Sequence, residues 1–185
     1  ASRDVKTAFN TLKDSLGMET LIFDLRGNGG GLLVEAVEIV NNFVPKGQEV
    51  VTTKGKITDW NKTYNTRNSA LDNEIPLIVL IDSYSASASE IVSGTLQDLD
   101  RAVIIGQNSF GKGLVQQTMP LSYNSKLKVT VAKYYTPSGR CIQRLDYTDK
   151  DEKGKAKEVA DSSMTQFETI NGRPVFDGAG IKPDL

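Results

Sequence analysis

The sequence predicts an α/β fold, and three observations carry the prediction. Short apolar runs bounded by turn residues alternate with segments of helical periodicity. Three of those runs each lead into a stretch rich in glycine or serine. With 38% hydrophobic and 24% charged residues over 185 positions, the chain has enough apolar material for one core without cross-links. Apolar strands in such a fold are expected to be covered on both faces.

The elements follow in order. Val5, Phe9, Leu12 and Leu16 recur at helical spacing, and Gly17 supplies a stop. Residues 21–25 form a short apolar strand, broken by the turn Arg26-Gly27-Asn28-Gly29-Gly30-Gly31. A helix then runs through Leu33, Ala36, Val37 and Val40 to Pro45. Residues 50–54 and 60–64 suggest a hairpin around Gly55, and 77–81 a second buried strand. Ala88, Ile91, Val92, Thr95, Leu96 and Leu99 mark one face of an amphipathic helix. Residues 103–105 are a third buried strand, and 114–119 and 127–133 pair as an antiparallel hairpin. From Asp146 to Asp161, ten of sixteen residues are charged, of both signs, so 146–172 is expected to be a mobile charged insertion. The span 1–185 is otherwise read as a single domain.

Composition narrows the chemistry. Lys and Arg number 22 against 23 for Asp and Glu, which gives no global basic signal for nucleic acid or anionic membrane. The lone Cys141 forbids an internal disulfide. There is no histidine, so Ser-His-Asp and Cys-His machinery and His-dependent metal sites are excluded. No metal or cofactor is expected. Any nucleophile here must use Lys, Asp, Glu or Tyr as its base.

Three places stand out, each after an apolar strand. Residues 29–31 are glycines before a helix, where backbone amides approach a ligand closely and favour negative charge. The run has neither the Walker pattern nor a clean dinucleotide fingerprint, and a plain tight turn would explain it as well. Ser83, Ser85, Ser87 and Ser89 lie between a strand and its helix. Such a junction exposes a nucleophile at the tip of a sheet. One serine suffices to cap the helix, and four in seven positions exceed that need. Small Ala86 and Ala88 leave room around Ser87. Finally, Lys112 lies between Gly111 and Gly113 beside Phe110, an apolar setting in which desolvation would favour a neutral amine, while a plain surface turn lysine would explain it as well. Strands in parallel would bring all three places to one sheet edge, where a Ser-Lys pair is the economical nucleophile and base.

These motifs resemble those of the C-terminal processing peptidases, the tail-specific serine proteases. The matching stretches are Asp24-Leu25-Arg26-Gly27-Asn28-Gly29-Gly30-Gly31, Ser85-Ala86-Ser87-Ala88-Ser89-Glu90-Ile91 and Leu96-Gln97-Asp98. Phe110-Gly111-Lys112-Gly113, Tyr134-Tyr135-Thr136-Pro137-Ser138-Gly139-Arg140 and Gly180-Ile181-Lys182-Pro183-Asp184 continue the likeness in order. The resemblance implies Ser87 as nucleophile and Lys112, 25 positions later (112 − 87), as general base. It implies Gln116 as the residue that orients the lysine amine. It implies the amides of Gly31 and Ala88 as the oxyanion hole, with the choice of glycine within 29–31 left open. The implied fold is crotonase-like (ClpP/crotonase), with stacked β-sheets and flanking helices.

The implied activity is endoproteolysis of polypeptides near their C-termini, in the cell envelope, periplasmic or membrane-associated. Family members carry a signal or anchor and a PDZ domain ahead of the core. The chain is therefore expected to be a catalytic core excised from something longer, a possible homo-oligomer. Two other functions fit the same fold: a non-catalytic carrier of hydrophobic ligands and an acyl-CoA enzyme of crotonase type. An intact Ser87, Lys112 and Gln116 set argues against the first, and the lack of any CoA mark against the second.

Overall fold

The computed structural model describes the backbone of residues 1–185 and every side chain but that of Asp149. Helix α1 (Ser2–Leu16) ends where Gly17 turns left-handed at φ 64°. Its Phe9 is buried edge-on against Phe43, with ring centroids 5.9 Å apart. Strand β1 (Leu21–Asp24), helix α2 (Leu33–Asn41), β4 (Leu77–Ile81), α3 (Ala88–Asp98) and β5 (Val103–Gly106) build the αβ half. The hairpin β2 (Glu49–Lys54) and β3 (Lys62–Asn65) is inserted between α2 and β4, with a 3₁₀ turn at Thr58–Trp60. Strands β6 (Leu114–Pro120) and β7 (Lys126–Tyr135) form the second hairpin, and β7 joins β2. The result is a three-stranded parallel sheet ordered β1-β4-β5 and a four-stranded antiparallel sheet ordered β3-β2-β7-β6.

Helix α2 stops at Asn41, short of the expected Pro45. The amides of Asn42 and Phe43 bond three residues back, to Ile39 and Val40, which tightens the last turn and drops Phe43 and Val44 into the core. The residue before a proline is also steered out of helical geometry. The parallel sheet is not covered on both faces. Ile22 is 60% exposed and Val103 43%, and both pair with Ile78 in one row across the sheet. Alternate residues such as Val79 and Ile104 are fully buried, so only one face of this sheet is sealed.

The charged segment folds further than its composition suggests. Strand β8 (Leu145–Lys150) pairs antiparallel with β9 (Ala156–Glu158), and β10 (Gln166–Glu168) with β11 (Pro174–Phe176). Backbone pairing needs no apolar side chains, so a charge count does not detect it. Residues 180–185 then run beside β5. Ile104 N–H donates to the Asp184 carboxylate at 2.8 Å, Asp184 N–H to Ile104 O at 2.7 Å, and Gly106 N–H to Leu185 O at 3.0 Å.

Candidate active site

Three loops leave the carboxyl ends of β1, β4 and β5, and the parallel pairing carries them to one edge of the sheet. The loop after β4 makes an abrupt turn into α3, and Ser87 at its apex adopts φ 56° and ψ −113°. That conformation is costly for a residue with a Cβ. Its neighbours hold it there. Ser85 donates its hydroxyl to Leu25 O at 2.8 Å, and Ser89 donates to Asn28 O at 3.0 Å. The Asp82 carboxylate accepts the amides of Gly27, Tyr84 and Ser85. Its pKa is lowered chiefly by the Gly27 N–H. Two of the four serines thus lace the turn to the loop after β1.

The glycine run meets the turn at close range. Gly30 has φ 99°, and a Cβ there would lie 2.6 Å from Ala86 O and 2.9 Å from Ala88 N. Only glycine fits at this contact. Gly30 N–H is already spent on the Asn28 side chain at 2.9 Å. Among the described residues the amides of Gly31 and Ala88 donate to no protein acceptor. Both line a cleft of about 270 Å³.

The same cleft is lined by Ser87, Lys112, Gln116 and Tyr134, so the five residues given roles by the family resemblance all reach it, while Ser83, Ser85 and Ser89 do not. Gln116 sits on β6 next to a register shift at Val115/Gln116, where Val131 is the extra residue on β7. Among the described residues no hydrogen bond joins Ser87 Oγ to Lys112 Nζ. The two line one cleft without a hydrogen bond between them.

Two side chains that the sequence reading gave no role hold the site together. The Glu90 carboxylate is wholly buried. It accepts Ser87 N–H at 2.7 Å and Lys112 N–H at 2.9 Å on Oε2. It accepts the Ser109 hydroxyl at 2.5 Å and Gly111 N–H at 2.6 Å on Oε1. Burial pushes its pKa up, and these four donors oppose the shift. The Tyr134 hydroxyl meets the carbonyls of Ser87, at 3.1 Å, and of Lys112. Burial, then the charge of Glu90, push the Tyr134 hydroxyl well above its ordinary pKa, so it remains a donor. The one available signal was the Ser87–Glu90 spacing, which reads as a capping box.

The model of peptidase family S41 matches residues 1–152. The chain belongs to that family. A carboxy-terminal-processing protease of Bartonella bacilliformis is 44% identical over 148 residues, 78% of this chain and 34% of its own length. A carboxyl-terminal-processing protease of Synechocystis is 40% identical over 145 residues, 78% of this chain and 33% of its own. The chain thus spans about a third of the length of these S41 relatives. Among solved structures, a photosystem II D1 C-terminal processing protease superposes with a TM-score of 0.71 at 29% identity. That match covers all of this chain and 38% of the other. The mixed α/β architecture with several sheets is therefore one that S41 proteases share.

Proposed function

We propose that this S41 chain is the catalytic core of a serine endopeptidase with a Ser-Lys dyad, acting on polypeptides near their C-termini. The observation that carries the reading is the gathering of Ser87, Lys112 and the two unengaged amides of Gly31 and Ala88 in one cleft, from three separate loops. Neutral Lys112 takes the proton of Ser87 as Oγ attacks the peptide carbonyl carbon. Negative charge develops on the carbonyl oxygen, where the Gly31 and Ala88 amides stabilise it. The Lys112 ammonium then gives its proton to the leaving amine, and water hydrolyses the acyl-enzyme. Gln116, exposed on β6 at the cleft wall, orients the lysine amine.

The sheet arrangement fits a crotonase-like fold. We also infer that the whole protein works in the cell envelope, that a PDZ domain outside these residues delivers the substrate, and that no cofactor takes part. The test is cleavage of an unstructured peptide by the full-length protein. Ser87→Ala abolishes cleavage and leaves the fold intact, since only a hydroxyl is removed. Full activity in Ser87→Ala with loss in Ser85→Ala would move the nucleophile by two residues and overturn the assignment.

A further inference from the structure

Glu90 stands three residues after Ser87, in the first turn of α3. A carboxylate there ordinarily reaches back to one amide and caps the helix. Glu90 does this to Ser87 N–H, but its other three donors all come from a different part of the chain, the loop between β5 and β6. A cap needs no such reach and no such burial. Among the described residues no cation pairs with Glu90, so a buried charge is satisfied by neutral donors alone. Oε2 faces two backbone N–H groups, which can only donate, and on Oε1 the Ser109 hydroxyl, which itself accepts Ile181 N–H at 2.6 Å, sits beside the Gly111 N–H. A single Oε2 atom thereby ties the amide of Ser87 to the amide of Lys112.

We propose that Glu90 is a positioning residue for the reaction, a carboxylate bridge that sets the backbone of the serine turn against the backbone of the lysine loop. The proposal rests on the Ser87–Lys112 reading above. Glu90 touches neither the substrate nor the reacting atoms. It acts by holding Ser87 in its strained conformation and by fixing the root of the Lys112 side chain. Misplacing reacting groups by about 1 Å can lose 10²-fold in rate. A glutamine of the same size must turn its NH₂ toward one of the two donor pairs. On the Oε2 side it opposes the amides of Ser87 and Lys112, and on the Oε1 side it opposes the amide of Gly111.

The experiment compares wild type, Ser87→Ala, Glu90→Gln, Glu90→Asp and Ser109→Ala in the full-length protein. It reads kcat and KM on one quenched peptide, with near-UV circular dichroism at the assay temperature to count folded molecules. Glu90→Gln is expected to lose about 100-fold in kcat per folded molecule, with KM within about threefold. Glu90→Asp keeps the charge but is one methylene shorter, and should fail to restore kcat. A folded Glu90→Gln with wild-type kcat, or one whose only loss is in folded fraction, overturns the proposal. Should neither Glu90 variant fold, Ser109→Ala decides. It removes one donor from Oε1, together with the acceptor of Ile181 N–H, without altering Glu90, Ser87 or Lys112, and should lower kcat per folded molecule about 3- to 10-fold at unchanged KM; wild-type kcat there overturns the bridge. Activity in Ser87→Ala is a separate failure, of the dyad itself.

Discussion

Ser87 is held by the structure on either side of it in the chain, with β4 ending before the turn and α3 beginning immediately after. Lys112 has no helix beside it, and the loop that carries it follows the short β5. That loop, rich in glycine, looks the easier of the two to displace. Yet every amide from 109 to 113 is paired. Ser109 N–H bonds Ile181 O, Phe110 N–H bonds Ser85 O, Gly111 and Lys112 bond Glu90, and Gly113 N–H bonds the Gln143 side chain. The partners come from the tail, the serine turn, α3 and the segment after β7. The serine side is framed by a strand and a helix adjacent in sequence and is also laced to the loop after β1, whereas the lysine loop has no adjacent helix and is held by contacts distant in sequence.

The largest effects should come from the two groups proposed to react. Lys112→Arg keeps the positive charge but offers no neutral base. It should lose about 10²–10⁴-fold in kcat/KM, nearly as much as Lys112→Ala. Measuring both variants on one peptide separates base from mere charge, and substantial activity in the arginine variant would remove Lys112 from the chemistry. Next in size is Gly30→Ala. The new methyl would press on Ala86 O and Ala88 N at a positive φ, moving the Ala88 amide proposed to bind the oxyanion. A loss of about 10²-fold in kcat is expected. An active Gly30→Ala would show that the serine turn is less rigid than its neighbours make it.

Ser85→Ala sharpens the contrast from the serine side. It removes a buried hydroxyl that bonds Leu25 O. The cost is about 1–3 kcal/mol of stability, or several degrees in Tm by calorimetry, with kcat changed less than in Gly30→Ala. The smallest effect lies far from the cleft. The Lys13 ammonium, then the amides of Glu74 and Ile75, hold the Asp72 carboxyl down from 3.8 to about 2. Its contribution is present above the unfolded pKa and is lost as pH falls through the folded value. Stability should therefore drop slightly between about pH 4 and pH 2, by less than about 1 kcal/mol for a surface pair screened by solvent. Asp72→Asn should flatten that slope and leave cleavage at neutral pH unchanged.

Much of the serine side was legible in the sequence, because local signals specify it. Pro76 and Asp82 bracket the apolar run of β4, and the periodicity from Ala88 onward marks α3. Their junction follows. The lysine side was legible only as a residue between glycines, since none of its partners is nearby in sequence. Glu90 could be read as a cap, but nothing local says that Ser109, Gly111 and Lys112 donate to the same carboxylate. Ile22 and Val103 misled for a related reason: an apolar strand does not reveal whether one face or two are covered. The pairing of β8 with β9 escaped notice because backbone hydrogen bonds leave little trace in composition.

The most direct measurement is a crystal structure of the full-length protein trapped as an acyl-enzyme with a slowly released peptide inhibitor. The expected result is a covalent bond from Ser87 Oγ, with the acyl oxygen about 2.7–3.1 Å from the amides of Gly31 and Ala88. Lys112 Nζ should then lie within about 3.2 Å of Ser87 Oγ. An acyl group on Ser83, Ser85 or Ser89, or an acyl oxygen turned away from both amides, would contradict the assignment of this cleft as the catalytic centre.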